Sequence, residues 1–202
     1  MTSKADLRRA LRAARRGISP QAAAQAAEEA ARRLLATRLW QTARSVALYL
    51  PADGEIDTRA LFVAAWQAGK RVYLPVIRPP REAAGRRAAM ASGHLVFRRY
   101  RPGEPLKPGL LGIPEPLRAG STVLPVAALD LLIMPLVGFD AEGHRLGMGG
   151  GFYDRTLAGR AGMRSPHKIG LAHDCQKVPQ LPADPWDITL DACVTNREII
   201  FW

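Results

Sequence analysis

The sequence has few of the features that secreted and membrane proteins depend on. It contains two cysteines, Cys175 and Cys193, which are too few for a disulfide framework or a cysteine metal cluster, so we expect two reduced thiols. No apolar run approaches the length of a membrane span, and the first residues lack the apolar core of a signal peptide. We therefore expect a cytoplasmic protein with no membrane partner.

Aromatic residues are also scarce, at 6% of the chain, whereas basic residues are in excess. The formal net charge is +11, and the excess lies in two blocks: residues 1–40 hold 9 basic against 3 acidic residues, and residues 70–107 hold 10 against 2. Basic patches can neutralise nucleic-acid phosphates, but no nucleic-acid motif or aromatic stacking platform accompanies these blocks. We do not expect a nucleic-acid partner, because an arginine-rich solvated surface that attracts small anions explains the charge.

Both standard nucleotide fingerprints are missing, yet one glycine-rich segment follows a predicted buried strand at residues 129–137. After a turn at residues 140–143 come Arg145, four glycines between 147 and 151, and a predicted helix that begins near Asp154. Glycines allow close approach of a ligand, and successive free N–H groups form an anion site. Arg145 and Asp154 suit a nucleotide phosphate and its Mg2+. On spacing alone, a flexible turn between a strand and a helix remains the alternative.

The remaining pattern predicts one α/β domain over residues 1–202 with a mostly parallel sheet. Two helices are expected first, one at residues 4–16 that Gly17 ends and one from Ser19-Pro20 to about residue 39. Further predicted elements are strands at residues 45–50, 71–75, 94–100, 168–172 and about 192–195, helices at 59–68 and 153–157, and loops at 78–93 and 102–120. Strand, helix and strand over residues 45–75 form a βαβ unit, which implies a parallel pair.

The string Arg-Leu-Gly-Met-Gly-Gly-Gly-Phe-Tyr-Asp-Arg at residues 145–155, with Pro-Leu-Val-Gly-Phe-Asp at 135–140 and Gly143, strongly resembles the signature of the 5-formyltetrahydrofolate cyclo-ligase family. The resemblance implies ATP-dependent cyclisation of 5-formyltetrahydrofolate, with or without a polyglutamate tail, to 5,10-methenyltetrahydrofolate. It also implies a three-layer Rossmann-like sandwich with the N-terminal helices packed on it. Residues 1–40 would then contribute to the ATP site, and we expect a monomer.

Residue by residue, the resemblance assigns ATP contacts to the Lys-x-x-x-Arg pair Lys4 and Arg8, although a solvated basic helix face is the plain interpretation of that pair. Three residues are candidate catalytic groups, namely Arg145, Tyr153 and Asp154. Mg2+ would be held by Asp154 and Asp187. The other candidate ATP contacts are Arg145, Leu146, Gly147, Met148, Gly149, Gly150, Gly151, Phe152 and Tyr153.

Glu55 is the candidate that orients the pterin ring of the folate, and Leu50 would pack on the same ligand. The segment from Met148 to Phe152 is also a candidate folate contact. A plain alternative is that Glu55 is solvated in a loop where Asp57 or Thr58 caps the next helix. Some family members carry a lysine where this chain has Gly150, which places more of the phosphate binding on Lys4, Arg8 and Arg145. We assign no stacking role to Leu111.

Two other functions were weighed against the sequence. A dinucleotide-dependent oxidoreductase requires its glycine fingerprint after the first strand, where this chain has Pro-Ala-Asp-Gly at residues 51–54. An RNA-binding protein would rest on charge alone. His173 and Asp174 are neighbours at a strand end, where adjacent side chains face opposite ways, so we predict a turn and not an acid–base pair.

Overall fold

The computed structural model describes residues 3–80, 86–110, 112–117, 122–159 and 166–202. Its strands are β1 (Ser45–Ala47), β2 (Arg71–Arg78), β3 (His94–Arg99), β4 (Leu106–Pro108), β5 (Pro114–Pro116), β6 (Val123–Leu124), β7 (Leu131–Pro135), β8 (Gly138–Phe139), β9 (Arg145–Leu146), β10 (His167–Leu171), β11 (Ala192–Val194) and β12 (Ile199–Phe201). Its α-helices are α1 (Lys4–Arg16), α2 (Pro20–Leu35), α3 (Arg38–Thr42), α4 (Arg59–Gln67), α5 (Arg86–Ser92) and α6 (Phe152–Leu157).

Eight strands form the central sheet in the order β12-β11-β10-β7-β1-β2-β3-β6. The five strands from β11 to β2 are parallel to one another, and the edges are completed by antiparallel β12 on one side and β3 and β6 on the other. The parallel β1–β2 pair confirms the predicted βαβ unit. Two small hairpins, β4–β5 and β8–β9, lie outside this sheet.

Both faces of the sheet are covered, which explains why its central strands are continuously apolar. Helices α2, α3 and α4 pack on one face around side chains such as Leu34, Trp40 and Leu61. Helix α6 and two irregular segments cover the other face, where Leu129, Leu157 and Leu190 are buried. The predicted three-layer α/β sandwich with a mostly parallel sheet is therefore confirmed.

Helix α1 lies apart from these layers and packs on the β8–β9 hairpin. Ser3 caps its first turn by accepting a hydrogen bond from the N–H of Asp6, and Gly17 ends it as predicted. Leu11 is its buried residue on the apolar side and contacts Val137, Leu146 and Leu181. Lys4, Arg8 and Arg15 lie on the same side of α1 as Leu11, at spacings of seven, three and four residues, and they reach across the molecule as described below.

Several elements and boundaries differ from the prediction. The second helix ends at Leu35 and not near residue 39, because the Thr37 hydroxyl accepts from the N–H of Trp40 and starts a new helix, α3. The predicted loop at 78–93 contains helix α5, and β2 runs on to Arg78. The first strand stops at Ala47, before residue 50. The predicted irregular segment 102–120 contains the β4–β5 hairpin, and edge strand β12 was not predicted.

No helix among the described residues combines the length and the apolar character that a bilayer crossing requires.

Candidate active site

The β8–β9 hairpin, which delivers Arg145, is organised by the buried carboxylate of Asp140. One oxygen accepts hydrogen bonds from the N–H groups of Glu142 (3.1 Å) and His144 (2.9 Å), and the other accepts from the N–H of Leu181 (2.9 Å). These hydrogen bonds fix the turn between β8 and β9, because the oxygens of a buried carboxylate need hydrogen-bond donors. The sequence analysis used Asp140 as a turn residue and as part of the family signature, and did not predict this buried role.

The glycine-rich loop at residues 147–151 follows this hairpin and leads into α6. Gly149 and Gly151 have φ values of 93° and 62°, which disfavour any side chain. The N–H groups from Gly147 to Asp154 donate to no acceptor among the described residues, while Arg155 holds the loop by donating to the carbonyl of Gly150 at 2.6 Å. The loop therefore presents a run of free donors suited to an anion.

Gly150 is the position where some family members carry a lysine. A Cβ atom there would lie 2.5 Å from the Phe152 ring, so the ring would have to move to accommodate any side chain. The guanidinium of Arg155 lies 5.2 Å from the centre of the same ring. Glycine is the residue that fits this arrangement of Phe152 and Arg155.

Arg145 and Asp154 form an ion pair across the glycine loop. A guanidinium nitrogen of Arg145 donates to a carboxylate oxygen of Asp154 at 2.6 Å, and the Arg145 side chain is 4% exposed. The Nε of Arg145 is buried without a partner among the described residues. The same Asp154 oxygen accepts from the N–H of Ile188 at 3.1 Å, which brings the neighbouring Asp187 to this place.

Lys4 closes the site from helix α1. Its ammonium lies 2.6 Å from a carboxylate oxygen of Asp184 and 2.6 Å from one of Asp187. Burial lowers the pKa of Lys4, but the hydrogen bonds to the two carboxylates outweigh this, so the net pKa is raised. Asp184 was not predicted as a site residue, because nothing in the local pattern marks it as the partner of a lysine so distant in sequence.

Arg8 lies one turn after Lys4 on α1 and contacts the glycine loop directly. Its Nε donates to the carbonyl of Gly147 at 2.8 Å. The guanidinium also lies beside Gly149, where an added Cβ would be 3.6 Å from its central carbon. The structure thus brings together Lys4, Arg8, the glycine loop, Arg145, Asp154 and Asp187, as the resemblance implied.

Two carboxylates in this cluster fit a divalent cation. Asp154 and Asp187 each use one oxygen in the contacts described above, and the other oxygen has no hydrogen-bond partner among the described residues. Carboxylate oxygens are the donors that Mg2+ prefers. Lys4 contacts Asp187, Arg145 contacts Asp154, and Arg8 contacts the neighbouring glycine loop.

Glu55 lies in the loop after β1, at the carboxyl edge of the sheet where ligands of open α/β sheets bind. One carboxylate oxygen accepts from the N–H of Ala52 at 3.0 Å, and the other has no hydrogen-bond partner among the residues that the structure describes. Burial raises the pKa of Glu55, partly offset by that hydrogen bond. The loop and the start of α2 line an open groove of about 320 Å3 beside Glu55.

Asp57 and Thr58 were the two candidates for capping α4, and the structure shows that Asp57 does so. Asp57 accepts from the N–H of Arg59 at 2.8 Å, while the Thr58 hydroxyl donates to the carbonyl of Tyr49. Glu55 takes no part in the cap, so its half-buried carboxylate has no structural role in starting α4.

The apolar candidates are placed differently from one another. Tyr153 and Phe152 are half-buried against the sheet, and the Arg145 guanidinium lies 5.8 Å from the centre of the Tyr153 ring. Burial, and to a smaller extent the charge of Glu55, raises the pKa of Tyr153. Met148 is 51% exposed.

Leu50 and Leu146 have less contact with the open site than the resemblance suggested. Leu146 is buried under α1, so only its backbone remains for a ligand. Leu50 is half-buried against the core cluster that includes β1. Leu111 lies outside the described residues.

His173 and Asp174 do not form an acid–base pair. A ring nitrogen of His173 lies 3.2 Å from the carbonyl of Gly54, and Asp174 instead forms an ion pair with Arg197 at 3.4 Å. Burial lowers the pKa of His173. The prediction of a strand-end turn is confirmed.

An open, mostly parallel α/β sheet with a glycine loop, clustered cations and carboxylates at the carboxyl edge of its strands is an arrangement suited to a ligand-binding enzyme. Comparison with known proteins identifies the family. The model of the 5-formyltetrahydrofolate cyclo-ligase family matches residues 1–196, and the chain belongs to that family. The resemblance stated from residues 145–155 is therefore confirmed, as is the expectation of a folate-metabolising ligase.

Individual relatives agree with this assignment. The 5-formyltetrahydrofolate cyclo-ligase of Escherichia coli (strain K12) is 42% identical over 192 residues, covering 95% of this chain and 100% of the relative. A protein of the same name from Haemophilus influenzae is 45% identical over 148 residues, 73% of each chain. The solved structure of the Aquifex aeolicus 5,10-methenyltetrahydrofolate synthetase has a TM-score of 0.80 at 29% identity, covering 98% of this chain and 92% of that chain.

Proposed function

We propose that this protein uses ATP to cyclise 5-formyltetrahydrofolate to 5,10-methenyltetrahydrofolate, with release of ADP and phosphate. The observation that carries the proposal is that three cationic side chains lie at the glycine loop, whose N–H groups have no acceptor among the described residues. The three are Lys4, Arg8 and Arg145. A site with three cations and a run of amide donors is suited to a polyphosphate.

The chemistry explains why ATP is required. The N5-formyl group is an amide, and its oxygen is a poor leaving group when N10 attacks the formyl carbon. Transfer of the terminal phosphoryl group of ATP to that oxygen makes the carbon electrophilic. Attack by N10 then closes the ring, N10 loses its proton, and the C–O bond breaks so that the oxygen departs with phosphate, which can carry that proton away. N10 is already a nucleophile, so the protein acts by positioning the reactants and neutralising charge.

The phosphates would contact cations from two parts of the chain. Lys4 and Arg8 approach from α1, and Arg145 approaches from the β8–β9 hairpin. The N–H groups of Gly147 to Gly151 would donate to the phosphate oxygens. Charge at the transferring phosphoryl group is thereby neutralised by fixed groups in a partly buried site, where such interactions are strong.

Mg2+ would be held by Asp154 and Asp187, and when bound it supplies further neutralisation of the phosphate charge. The ion pair with Arg145 fixes the Asp154 carboxylate, and Lys4 fixes that of Asp187. Both carboxylates are therefore oriented by the same cations that are proposed to bind the phosphates.

The folate would lie on the Glu55 side of the glycine loop. A pterin presents neighbouring N–H donors at its amino-pyrimidine edge, which a carboxylate can accept. Tyr153 and Phe152 would bound the ring system. We expect the protein to act as a monomer and the reaction to take place in the cytoplasm.

The direct test follows absorbance in the methenyl-folate band after the purified protein is mixed with 5-formyltetrahydrofolate, ATP and Mg2+, with each omitted in turn. We expect a rise that needs all three, and its loss in Asp154→Ala but not in the control Asp6→Ala, whose carboxylate is exposed on α1. A well-folded protein that produces no rise, or a rise without ATP, would contradict the proposal.

A further inference from the structure

One face of helix α1 touches three separate segments of the proposed site. Lys4, Arg8, Arg12 and Arg16 follow one another at intervals of four residues and so lie along the same face. Lys4 binds the segment that contains Asp187, and Arg8 binds the glycine loop. The end of the same face, together with Arg15, binds the loop that carries Glu55.

That last contact is made through a single carboxylate, Asp53. Arg12 and Arg15 donate to one of its oxygens at 2.8 Å each, and Arg16 donates to the other at 2.5 Å. Arg15 is buried, and it also donates to the carbonyls of Asp53 (2.9 Å) and Leu136 (3.1 Å). Three guanidinium groups on one carboxylate fix both its position and the end of the helix.

Asp53 also holds an uncommon backbone conformation. Its φ of 54° is the one positive value at a non-glycine position within the described ranges. Left-handed backbone turns the chain sharply here, two residues before Glu55, and the N–H of Glu55 then donates to the carbonyl of Ala52 at 3.0 Å. The side chain and backbone of Asp53 together determine where Glu55 lies relative to α1.

From these contacts we propose that Asp53 is a positioning residue that joins the two halves of the site. It fixes the Glu55 loop, which orients the folate, to the helix whose Lys4 and Arg8 contact the nucleotide. This inference rests on the proposed function. Asp53 itself touches neither substrate and acts through α1 and the loop.

The test measures the KM of each substrate in a variant of Asp53, which lies in the Glu55 loop, and in a variant of Arg12, which lies on α1. Asp53→Asn keeps a residue that tolerates left-handed backbone but removes the charge. We expect the KM for ATP and the KM for 5-formyltetrahydrofolate each to rise about tenfold, with kcat changing less than about threefold, because misplaced groups weaken binding of both substrates. The rise in the KM for ATP is the informative result, since Asp53 lies in the loop that carries Glu55, the proposed folate contact.

Arg12→Gln gives the converse readout and a milder change, because Arg15 and Arg16 still bind Asp53. It should raise the KM for the folate although Arg12 lies on the helix, and the double variant Arg12→Gln/Asp53→Asn should be little worse than Asp53→Asn alone. The matched control is Arg9→Gln, which removes a cation from the exposed side of α1 and should leave both KM values unchanged.

Two results would overturn the inference. One is a lower melting temperature with both KM values unchanged, which would make Asp53 a purely structural residue. The other is a rise in the folate KM alone, which would confine Asp53 to its own loop. If Asp53→Asn does not fold, the Arg12→Gln values decide between these outcomes. Failure of the proposed function is a separate result, because the wild-type protein would then show no ATP-dependent turnover at all.

Discussion

The ammonium group of Lys4 lies 2.6 Å from the carboxylate of Asp187, although 183 residues separate them in the sequence. This contact brings the first turn of α1 against the segment before β11, beside the Arg145–Asp154 pair. The proposed nucleotide site is thus formed by the first helix, the central glycine loop and a late acidic segment, and none of the three is sufficient alone.

Replacement of Lys4 should affect nucleotide binding more than stability. Both the Lys4 side chain and its partners are partly exposed, so their ion pairs add at most about 1 kcal/mol to folding. We expect Lys4→Gln to raise the KM for ATP about tenfold or more, because a phosphate contact is lost, with little change in the urea midpoint. Arg9→Gln is the control, and an unchanged KM for ATP in Lys4→Gln would exclude Lys4 from the nucleotide site.

Removal of Asp154 should cost both activity and stability. Asp154→Ala leaves the buried Arg145 guanidinium without its carboxylate, which should lower the free energy of unfolding by about 3 kcal/mol. Activity should fall about a hundredfold or more, because the proposed metal ligand is lost. Urea unfolding of the double variant Arg145→Met/Asp154→Leu should show partial recovery of stability without activity; no difference in stability between Asp154→Ala and the wild type would refute this view of the pair.

Glu55 should give the reaction an acid limb. The carboxylate must be ionised to accept from the pterin, and burial raises the pKa of Glu55 above its usual value. The value of kcat/KM for the folate should therefore begin to fall at a higher pH than an exposed glutamate would give. A pH–rate profile in which Glu55→Gln has low activity but the same acid limb would assign that limb to another group.

The raised pKa of Glu55 also predicts how the stability of Glu55→Gln compares with that of the wild type at different pH values. A pKa that is raised in the folded state means that folding disfavours the ionised carboxylate, so the wild type loses stability as pH rises from the unfolded value through the raised value. Glu55→Gln should therefore be more stable than the wild type near neutral pH and equal to it in acid. Thermal unfolding at several pH values measures this, and a variant that is less stable at neutral pH would contradict it.

Asp53 should stabilise the protein above acid pH. Burial alone would raise its pKa, but hydrogen bonds from Arg12 and Arg16 lower it to about 2. A lowered carboxyl pKa gives stability that is present above the unfolded value of 3.8 and is lost as pH falls toward 2. Asp53→Asn should cost about 1–2 kcal/mol at neutral pH, allowing for solvent screening, and the gap should close in acid. A gap that persists below pH 2 would point to a cause other than charge.

The sequence was informative wherever the determining interactions are local. Gly17 marks the end of the first helix and Ser19-Pro20 the start of the second because caps act within one turn, and both boundaries agree with the structure. The glycine loop could be recognised because its residues are contiguous. Helix α2 was predicted too long because both it and α3 suit the same composition, and the stop depends on one hydroxyl, that of Thr37.

Contacts between distant segments could not be predicted in the same way. Nothing near Asp184 indicates that it binds Lys4, and nothing near Asp53 indicates that three arginines of α1 converge on it. Such pairs depend on how α1 lies on the β8–β9 hairpin, which is a tertiary arrangement without a local pattern. For the same reason the burial of Leu146 under α1 was missed.

The central claim is that ATP activates the formyl oxygen, and an isotope experiment tests it most directly. 5-Formyltetrahydrofolate labelled with oxygen-18 in the formyl group is converted with unlabelled ATP, and the released phosphate is analysed by mass spectrometry. We predict one labelled oxygen in the phosphate for each methenyl product, because the formyl oxygen leaves with the transferred phosphoryl group. Unlabelled phosphate, with the isotope recovered in water, would contradict the account.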